Sequence, residues 1–419
     1  MIKAITGTKD LLPSEISRWN HLEKIVKNIF RNFNYKEIRT PIFEETVLFA
    51  RGIGEETDIV GKEMYTFVDR SDTSVTLKPE MTAGVVRAFI EHSLGKQQSL
   101  NKLFYISPMF RQERPQAGRL RQFHQFGAEA IGSSSMLLDA ELITVAYDIL
   151  KQLGLNHIEV KLNSLGVPLS RENYKKILKE FLQDKKNDFS EDSRRRFDTN
   201  ILRVFDSKIE SDQKILKDAP LLIDHIDEES KNDFELVKEY LTKLNIPFSV
   251  EPALVRGLDY YTKTTFEILS GKVGSQSALC GGGRYDLLIE QLGGDPTPGV
   301  GFAAGIERIL LACENEKSLS IPDEKIDLYI VKIDKELSSE ILELASIFRR
   351  KNISTEFDYL ERSVKAQMRE ANKLNSRFVL FLGGDEYNSG SVNLKNMESG
   401  EQKLFILTDV DTMIKTILH

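Results

Sequence analysis

Between residues 35 and about 132 the chain consists of short β-rich runs, "YKEIRTPIF", "MYTFV", "VTLKP", "LFYISPMFR" and "QFHQFGAEAIG", divided by turn residues rather than helices. Parallel neighbours need a long, usually helical crossover, so this stretch predicts an antiparallel sheet and argues against regular βαβ units. The last two runs predict a hairpin: a strand over 103–111, a loop around 115–118 and a return strand over 121–131. Apolar spacing at Ile16, Trp19, Leu22, Val26, Ile29, Phe30 and Phe33 predicts a helix over 14–33 behind the cap-like Ser14. A second helical pattern covers 136–153, and "HIEVKLNSLG" reads as another strand.

From about 167 to 250 the texture becomes charged and helix-forming ("RENYKKILKEFLQDKK", "ESKNDFELVKEYLTKLN"), as in an inserted block. Sheet-like sequence resumes in "FEILSG" and "SQSALCGGGRYD", before a helix through "GFAAGIERILLACE". After "KSLSIPDEK" strand and helix alternate strictly, the pattern of a small α/β domain. The expected organisation is an α+β domain over 1–324, an antiparallel sheet flanked by helices with a helical insertion at 167–250, and an α/β domain over 325–419.

A chain of 419 residues exceeds what one hydrophobic core supports, which fits this modularity. Its apolar runs fall far short of the roughly 18 residues of a membrane span, and "MIKAITGTKDLLPSE" lacks the apolar core of a signal peptide. Two cysteines, Cys280 and Cys313, form no C-x-x-C pair. A cytoplasmic protein with reduced thiols and no membrane contact is expected. The net charge is -7, so any nucleic-acid contact must come from local basic patches.

One such patch is "FRQERPQAGRLRQFHQFG", residues 110–127, with four arginines against one glutamate. Strand alternation places Arg111 and Glu113 on one face, and Arg121, Phe123, Gln125 and Glu129 at matched parity on the return strand. Guanidinium forks suit phosphate oxygens, and a ring such as Phe123 can stack on a purine. Two further polar clusters lie in "LVRGLDYYTKTTFEI" and "TLKPEMTAGVVRAF". In the latter, Glu80 reads either as a group projecting into a cleft or as a helix-start acid. The glycine clusters "CGGGRYD" and "PGVGFAAGIER" lack the G-K-[ST] ending of a P-loop and do not fit G-x-G-x-x-G; alone they read as tight backbone packing.

Taken in order, these segments resemble the histidyl-tRNA synthetase family of class II aminoacyl-tRNA synthetases over essentially the whole chain. "RTPIFEETVLFARGIGEETDIVGKEMYTF" is similar to motif 1 with its dimer contacts, "FRQERPQAGRLRQFHQFGAEAIG" to motif 2, and "GVGFAAGIERIL" to motif 3. "LVRGLDYYT" and "CGGGRYD" resemble the two signatures particular to the histidine enzymes. The resemblance implies a homodimer that uses ATP and Mg²⁺ to activate L-histidine and charges histidine tRNA.

It implies that Arg111 holds the α-phosphate and the histidine carboxylate side, and that Arg256 acts opposite it. Arg119 and Arg308 would grip the γ-phosphate end, Phe123 would stack on adenine, and Glu113 would face the adenine amino group. Glu80, Thr82 and Gln125 match the α-amino site, Glu129 with Tyr261 the imidazole site, and Tyr260 and Tyr285 line the same pocket. Gln125 would also position the phosphate oxygen that takes the proton in the transfer step. Arg114 and Gln116 are candidates to touch the tRNA acceptor end, and the 167–250 block is expected to clamp the acceptor arm. No residue is assigned to a metal.

Lys78 and Met81 depart from the pattern, since many bacterial relatives carry Arg and Gly there. The C-terminal segment resembles an anticodon-binding domain. It carries 14 Lys and Arg against 15 Asp and Glu from 325 to 419, so net charge is silent about RNA. Lys365, Arg369, Lys373 and Arg377 nevertheless recur every four residues as a basic stripe. The rival reading is a catalytically silent, synthetase-like regulatory subunit of histidine biosynthesis, expected to lack the "RGLDYY" signature and the C-terminal domain, both present here. A synthetase for another amino acid disagrees with Glu129, Arg256 and Tyr261.

Overall fold

The computed structural model describes residues 1–54, 57, 59–255, 257–271, 278–319, 321 and 325–418, with the backbone alone at Asp206. Contacts divide the chain into two compact units, Met1–Ser320 and Ile321–His419.

The first unit is built on an eight-stranded sheet in the order Lys36–Glu37, Asn101–Phe110, Gln122–Ile131, Gly299–Gly305, Ala278–Arg284, Thr262–Ser270, Ile158–Ser164 and Phe248–Val250. The six inner strands pair antiparallel, as the short-turn connections of the hairpins require, and a parallel pairing closes each edge. Helices Pro13–Asn32, Met136–Gln152, Glu228–Lys243 and Ile306–Glu316 contribute to the main core. Trp19, Leu22, Val26, Ile29 and Phe30 of the first of them are buried with Phe126, Phe266 and Phe302 of the sheet. The predicted helix over 14–33 forms one residue earlier. Pro13 opens it and Leu12 is its N-cap, so Ser14 lies inside the first turn, where proline's fixed φ starts a helix without a side-chain cap.

One expectation needs correction. "YKEIRTPIF" is not one strand: Lys36–Glu37 joins the large sheet, while Phe43–Glu45 pairs with Ser74–Leu77 and Tyr65–Val68 in a separate three-stranded sheet. Pro41, which has no N–H to give a ladder, lies at this division. The 167–250 block packs closely onto the rest of the unit. Tyr174, Leu178, Phe197 and Leu202 share one core cluster with Met81, Tyr260, Tyr261 and Tyr285, Phe234, Val237 and Leu241 enter the main core, and Phe248–Val250 is an edge strand of the eight-stranded sheet.

The "CGGGRYD" arginine has a structural task. Arg284 is wholly buried, and its five N–H donors are distributed over both Asp139 carboxylate oxygens, Asp286 at 3.1 Å, and the carbonyls of Ser133 and Ser135 at 3.2 Å each. This cluster fixes the start of helix Met136–Gln152 onto the sheet, beside the Ser135 hydroxyl that accepts from Leu137 N at 3.3 Å. Asp139→Ala leaves a buried guanidinium under-compensated. We expect it to destabilise the first unit by about 3–5 kcal/mol, read as a lower urea midpoint, whereas a surface pair would contribute little.

The second unit is a five-stranded sheet, Thr355–Phe357, Leu328–Lys332, Phe378–Leu382, Ser391–Asn396 and Gln402–Ile406. The first three strands are parallel and the last two antiparallel. Helices Ser338–Arg350 and Val410–Leu418 contribute Phe348, Met413 and Ile417 to one core cluster; Ala371, on Val364–Lys373, belongs to another with Tyr329, Val331 and Val379.

Candidate functional site

Register on the large sheet decides what faces the site. Gln125 lies opposite Ser107 and Gly305, Gly127 opposite Tyr105 and Ala303, and Glu129 opposite Leu103 and Gly301. Beyond them Gly281 pairs with Ala303 and Glu267, and Gly283 with Gly301 and Thr265. Opposed residues point to the same face, so two neighbouring strands present only glycine and alanine there. The glycine clusters are thus close packing and site floor at once. A Cβ on Gly301 would stand 1.8 Å from Glu129 Oε2, and one on Gly127 would stand 2.5 Å from the Tyr105 hydroxyl.

Over this floor lies a cavity of about 550 Å³ lined by Arg111, Glu113, Arg119, Phe123, Gln125 and Arg308, among others. Arg111 donates from Nε to the Pro79 carbonyl at 2.9 Å, lies 5.3 Å from the Phe123 ring centroid, and has Nη1 3.7 Å from Glu113 Oε1. Arg119 reaches the other Glu113 oxygen at 3.3 Å. Arg308 donates to the Gly118 carbonyl at 3.1 Å, where φ of +73° suits glycine, and to the Ala278 carbonyl at 3.0 Å. Burial first, then the charge of Arg119, holds the Arg308 guanidinium below its usual range. Clustered like charge in a part-buried cleft stabilises an anion placed among it. The Gln125 side-chain oxygen is buried with no hydrogen-bond partner among the described residues, so it has an acceptor to offer.

The remaining candidates form a buried cluster. Glu129 is fully buried and accepts from the Tyr285 hydroxyl at 2.6 Å and the Thr82 hydroxyl at 2.8 Å, with Tyr105 at 3.5 Å. Burial pushes its carboxyl up to about 8, although the Tyr285 and Thr82 hydrogen bonds favour the charged form. Glu80, also raised by burial, accepts from Thr82 N at 2.7 Å and Ala83 N at 2.9 Å. It therefore fulfils the helix-start reading, on helix Thr82–Glu91, while standing two residues from the Thr82–Glu129 bond. The Tyr260 ring lies 4.7 Å from that of Tyr261 and 5.9 Å from that of Tyr285. Lys78 Nζ approaches Met81 Sδ at 3.6 Å, both residues buried, and burial lowers the lysine to about 8.

The structure brings together Arg111, Glu113, Arg119, Phe123, Gln125 and Arg308 around the cavity, and Glu80, Thr82, Glu129, Tyr260, Tyr261 and Tyr285 in or beside the buried cluster. Arg256 lies outside the described residues. Arg114 and Gln116 are exposed on the hairpin turn, where Gln116 and Arg119 exchange two backbone hydrogen bonds of 2.9 and 3.0 Å. Lys365 and Arg369 are exposed on helix Val364–Lys373 of the second unit. Sequence reasoning missed Tyr105, an aromatic in an ordinary strand pattern. It also missed Glu307, which accepts from His124 N at 2.9 Å and contacts its ring Nδ1 at 3.0 Å, tying the start of helix Ile306–Glu316 to the motif 2 strand. The adjacency of Glu307 to Arg308 was the available signal.

Residues 7–309 match the family model for histidyl-tRNA synthetase and residues 327–417 that for the anticodon binding domain. The histidine–tRNA ligase of Caldanaerobacter subterraneus subsp. tengcongensis is 49% identical over 416 residues, 99% of this chain and 100% of that protein. The ligase of a Thermoanaerobacter species is 47% identical over 418 residues, 100% of each. The solved apo histidyl-tRNA synthetase of S. aureus is similar with a TM-score of 0.83 and 38% identity, covering 100% of both chains. A solved ATP phosphoribosyltransferase regulatory subunit/histidyl-tRNA synthetase from Bacillus halodurans C shares 20% identity with a TM-score of 0.66, covering 92% of this chain and 99% of that one, a likeness of fold alone. On the full-length match, the cavity and the buried carboxylate cluster together, the chain belongs to the histidyl-tRNA synthetase family.

Proposed function

We propose that the chain activates L-histidine with ATP and passes it to histidine tRNA. The observation that carries this reading is the side-chain-poor floor joining an arginine- and aromatic-lined cavity to a buried carboxylate cluster. One end suits a purine triphosphate, the other a small polar amino acid. Phe123 stacks on adenine and Glu113 accepts from its amino group. Arg111 binds the α-phosphate with Arg256 opposite, and Arg119 and Arg308 take the γ-phosphate end.

The histidine carboxylate attacks the α-phosphorus in line, and diphosphate departs. Charge gathering on the α-phosphate oxygens is stabilised by Arg111, already oriented by Pro79. The terminal ribose hydroxyl of the tRNA then attacks the histidyl carbonyl, its proton passes to a phosphate oxygen of the adenylate, and AMP leaves. Gln125 accepts from the α-ammonium with Glu80 and Thr82, holding that geometry. Magnesium enters with the ATP. Glu267, on the cavity wall, is a carboxylate suited to meet it.

Glu129 and Tyr261 read the imidazole nitrogens, and Tyr260 and Tyr285 line the same pocket. An analogue without the matching nitrogen leaves these buried polar groups unpaired and is rejected. Histidine-dependent ATP–diphosphate exchange tests the reading; no exchange, or equal exchange with another amino acid, removes it. The first of these outcomes is also what a silent regulatory subunit would give, but such a subunit has no need of the arginine-lined cavity.

The second unit reads tRNA. Glu361 and Glu370, beside the basic stripe, are engaged elsewhere, with Lys335 at 3.8 Å and Arg362 at 3.0 Å, and Arg377 pairs with Asp327 at 3.1 Å. Lys365 and Arg369 make no ion pair among the described residues and keep their charge for phosphates. Lys365→Glu with Arg369→Glu should raise KM for tRNA in the charging reaction about tenfold or more at physiological salt. An unchanged KM would take the stripe out of the interface. Arg114 and Gln116 meet the acceptor end, and Lys175, Lys176 and Lys179 of the 167–250 block its arm.

The homodimer reading gains from the exposed apolar side chains Phe43, Val47, Phe67 and Val68 in and beside the motif 1 stretch; a monomer mass by light scattering would remove it. A cytoplasmic location accords with Cys280 and Cys313, both buried and neither in a disulfide. No described helix is long and apolar enough to cross a membrane.

A further inference from the structure

The segment 257–263 carries Tyr260 and Tyr261, and the 167–250 block grips it at three points. From helix Pro168–Leu182, Arg171 donates from Nη1 to the Tyr261 carbonyl at 2.7 Å. From helix Glu228–Lys243, Glu229 and Asp233 each accept from Lys263 Nζ at 2.7 Å. Asn200 reaches Asp259 Oδ1 at 3.5 Å. The backbone repeats the clasp, since Leu165 N donates to the Lys263 carbonyl at 2.7 Å and Lys263 N to the Gly166 carbonyl at 2.9 Å. Lys263 itself has φ of +43°, a conformation an L-residue holds only when its surroundings impose it. Tyr260 and Tyr261 also share a core cluster with Tyr174, Leu178, Phe197 and Leu202 of the block.

We propose that Arg171 is a positioning residue for the amino-acid pocket, through which the 167–250 block sets how tightly and how selectively histidine is held. This rests on the reading that Tyr261 and Glu129 contact the imidazole. Among the described residues, Arg171 donates to the pocket segment through the Tyr261 backbone carbonyl. That bond does not read the substrate, but it fixes where the Tyr261 ring stands. A displacement of about 1 Å in such a group suffices to weaken recognition strongly. At the ATP end, Arg111 just past strand Asn101–Phe110, Phe123 on strand Gln122–Ile131 and Arg308 on helix Ile306–Glu316 lie outside this clasp; only Gly257 and Leu258 of the clasped segment reach that cavity, so the effect falls mainly on histidine.

Arg171→Met should raise KM for histidine about tenfold, the loss of one charge-assisted hydrogen bond ordering the segment, and change KM for ATP much less. Arg171→Lys, which can still donate to the Tyr261 carbonyl, should recover most of it. Hydrogen exchange supplies a readout independent of histidine: amides of 257–265 should exchange faster in Arg171→Met, while strands Asn101–Phe110 and Gln122–Ile131 keep their protection. If Arg171→Met does not fold, Arg171→Gln is read in the same way. Unaltered exchange at 257–265, or equal changes in both KM values, overturns the proposal. Should the wild-type chain not use histidine at all, the functional reading falls and hydrogen exchange alone decides the positioning role.

Discussion

Arg111→Ala is expected to lower the rate of histidine-dependent ATP–diphosphate exchange by about 10²–10³-fold, the usual consequence of removing one preorganised donor from a developing oxyanion. The size follows from how the side chain is held. Its Nε is committed to the Pro79 carbonyl and its plane lies by Phe123, so the terminal nitrogens are aimed before ATP arrives and no reorganisation is needed during reaction. Arg111→Lys should recover little, because an ammonium cannot hold Pro79 and bind phosphate as a fork at the same time. The fold should survive both changes, since Arg111 is only part-buried and its Glu113 contact is long at 3.7 Å. Single-turnover adenylate formation separates the chemical step from ATP binding. A loss below tenfold, with melting unchanged, would remove Arg111 from the α-phosphate.

Glu129→Gln is expected to reduce kcat/KM for histidine by about 10²-fold or more and to make the first unit more stable at alkaline pH. The two effects share one cause. Burial lifts the Glu129 carboxyl from an ordinary value of 4.5 to about 8. A raised carboxyl means that the folded chain binds the proton more tightly than the unfolded chain, so the wild-type protein loses stability as pH climbs from 4.5 to about 8. The loss is complete above the folded value, with an upper bound on the order of 5 kcal/mol. Glutamine has no charge to bury, and the Tyr285 and Thr82 hydroxyls can rotate to meet its amide. The melting temperature of Glu129→Gln relative to wild type should therefore rise steadily between pH 5 and pH 9. A flat difference would mean that Glu129 is ionised throughout, and retained histidine use would remove it from the imidazole site.

Much of the fold was legible because it rests on local periodicity. The alternation in 103–131 placed Phe123, Gln125 and Glu129 on one face, and the pairing of Ser107 with Gln125 and Leu103 with Glu129 shows that face intact. The α/β alternation after 325 was equally plain, although it missed the short helix Gly384–Asn388. The three-stranded sheet was not legible, because a short β-rich run does not say which sheet it will join. "CGGGRYD" was recognised as a unit, yet nothing in those letters separates glycines that clear a floor from an arginine that clamps a helix.

Residue chemistry and strand parity, both properties of neighbours two to four positions apart, were enough to specify an arginine- and aromatic-bearing face, while the family followed from the resemblance of five ordered motifs. Burial and partnership were settled by the folded chain. Arg284 meets Asp139 across 145 positions, His124 meets Glu307 across 183, and Arg171 meets Tyr261 across 90. A carboxylate such as Glu129 takes its proton affinity from what surrounds it, here Tyr105, Thr82, Tyr285 and the missing side chain of Gly301, which come from four separate elements. Solvent exclusion and long-range pairing exist only once those elements pack, so no local pattern could carry them.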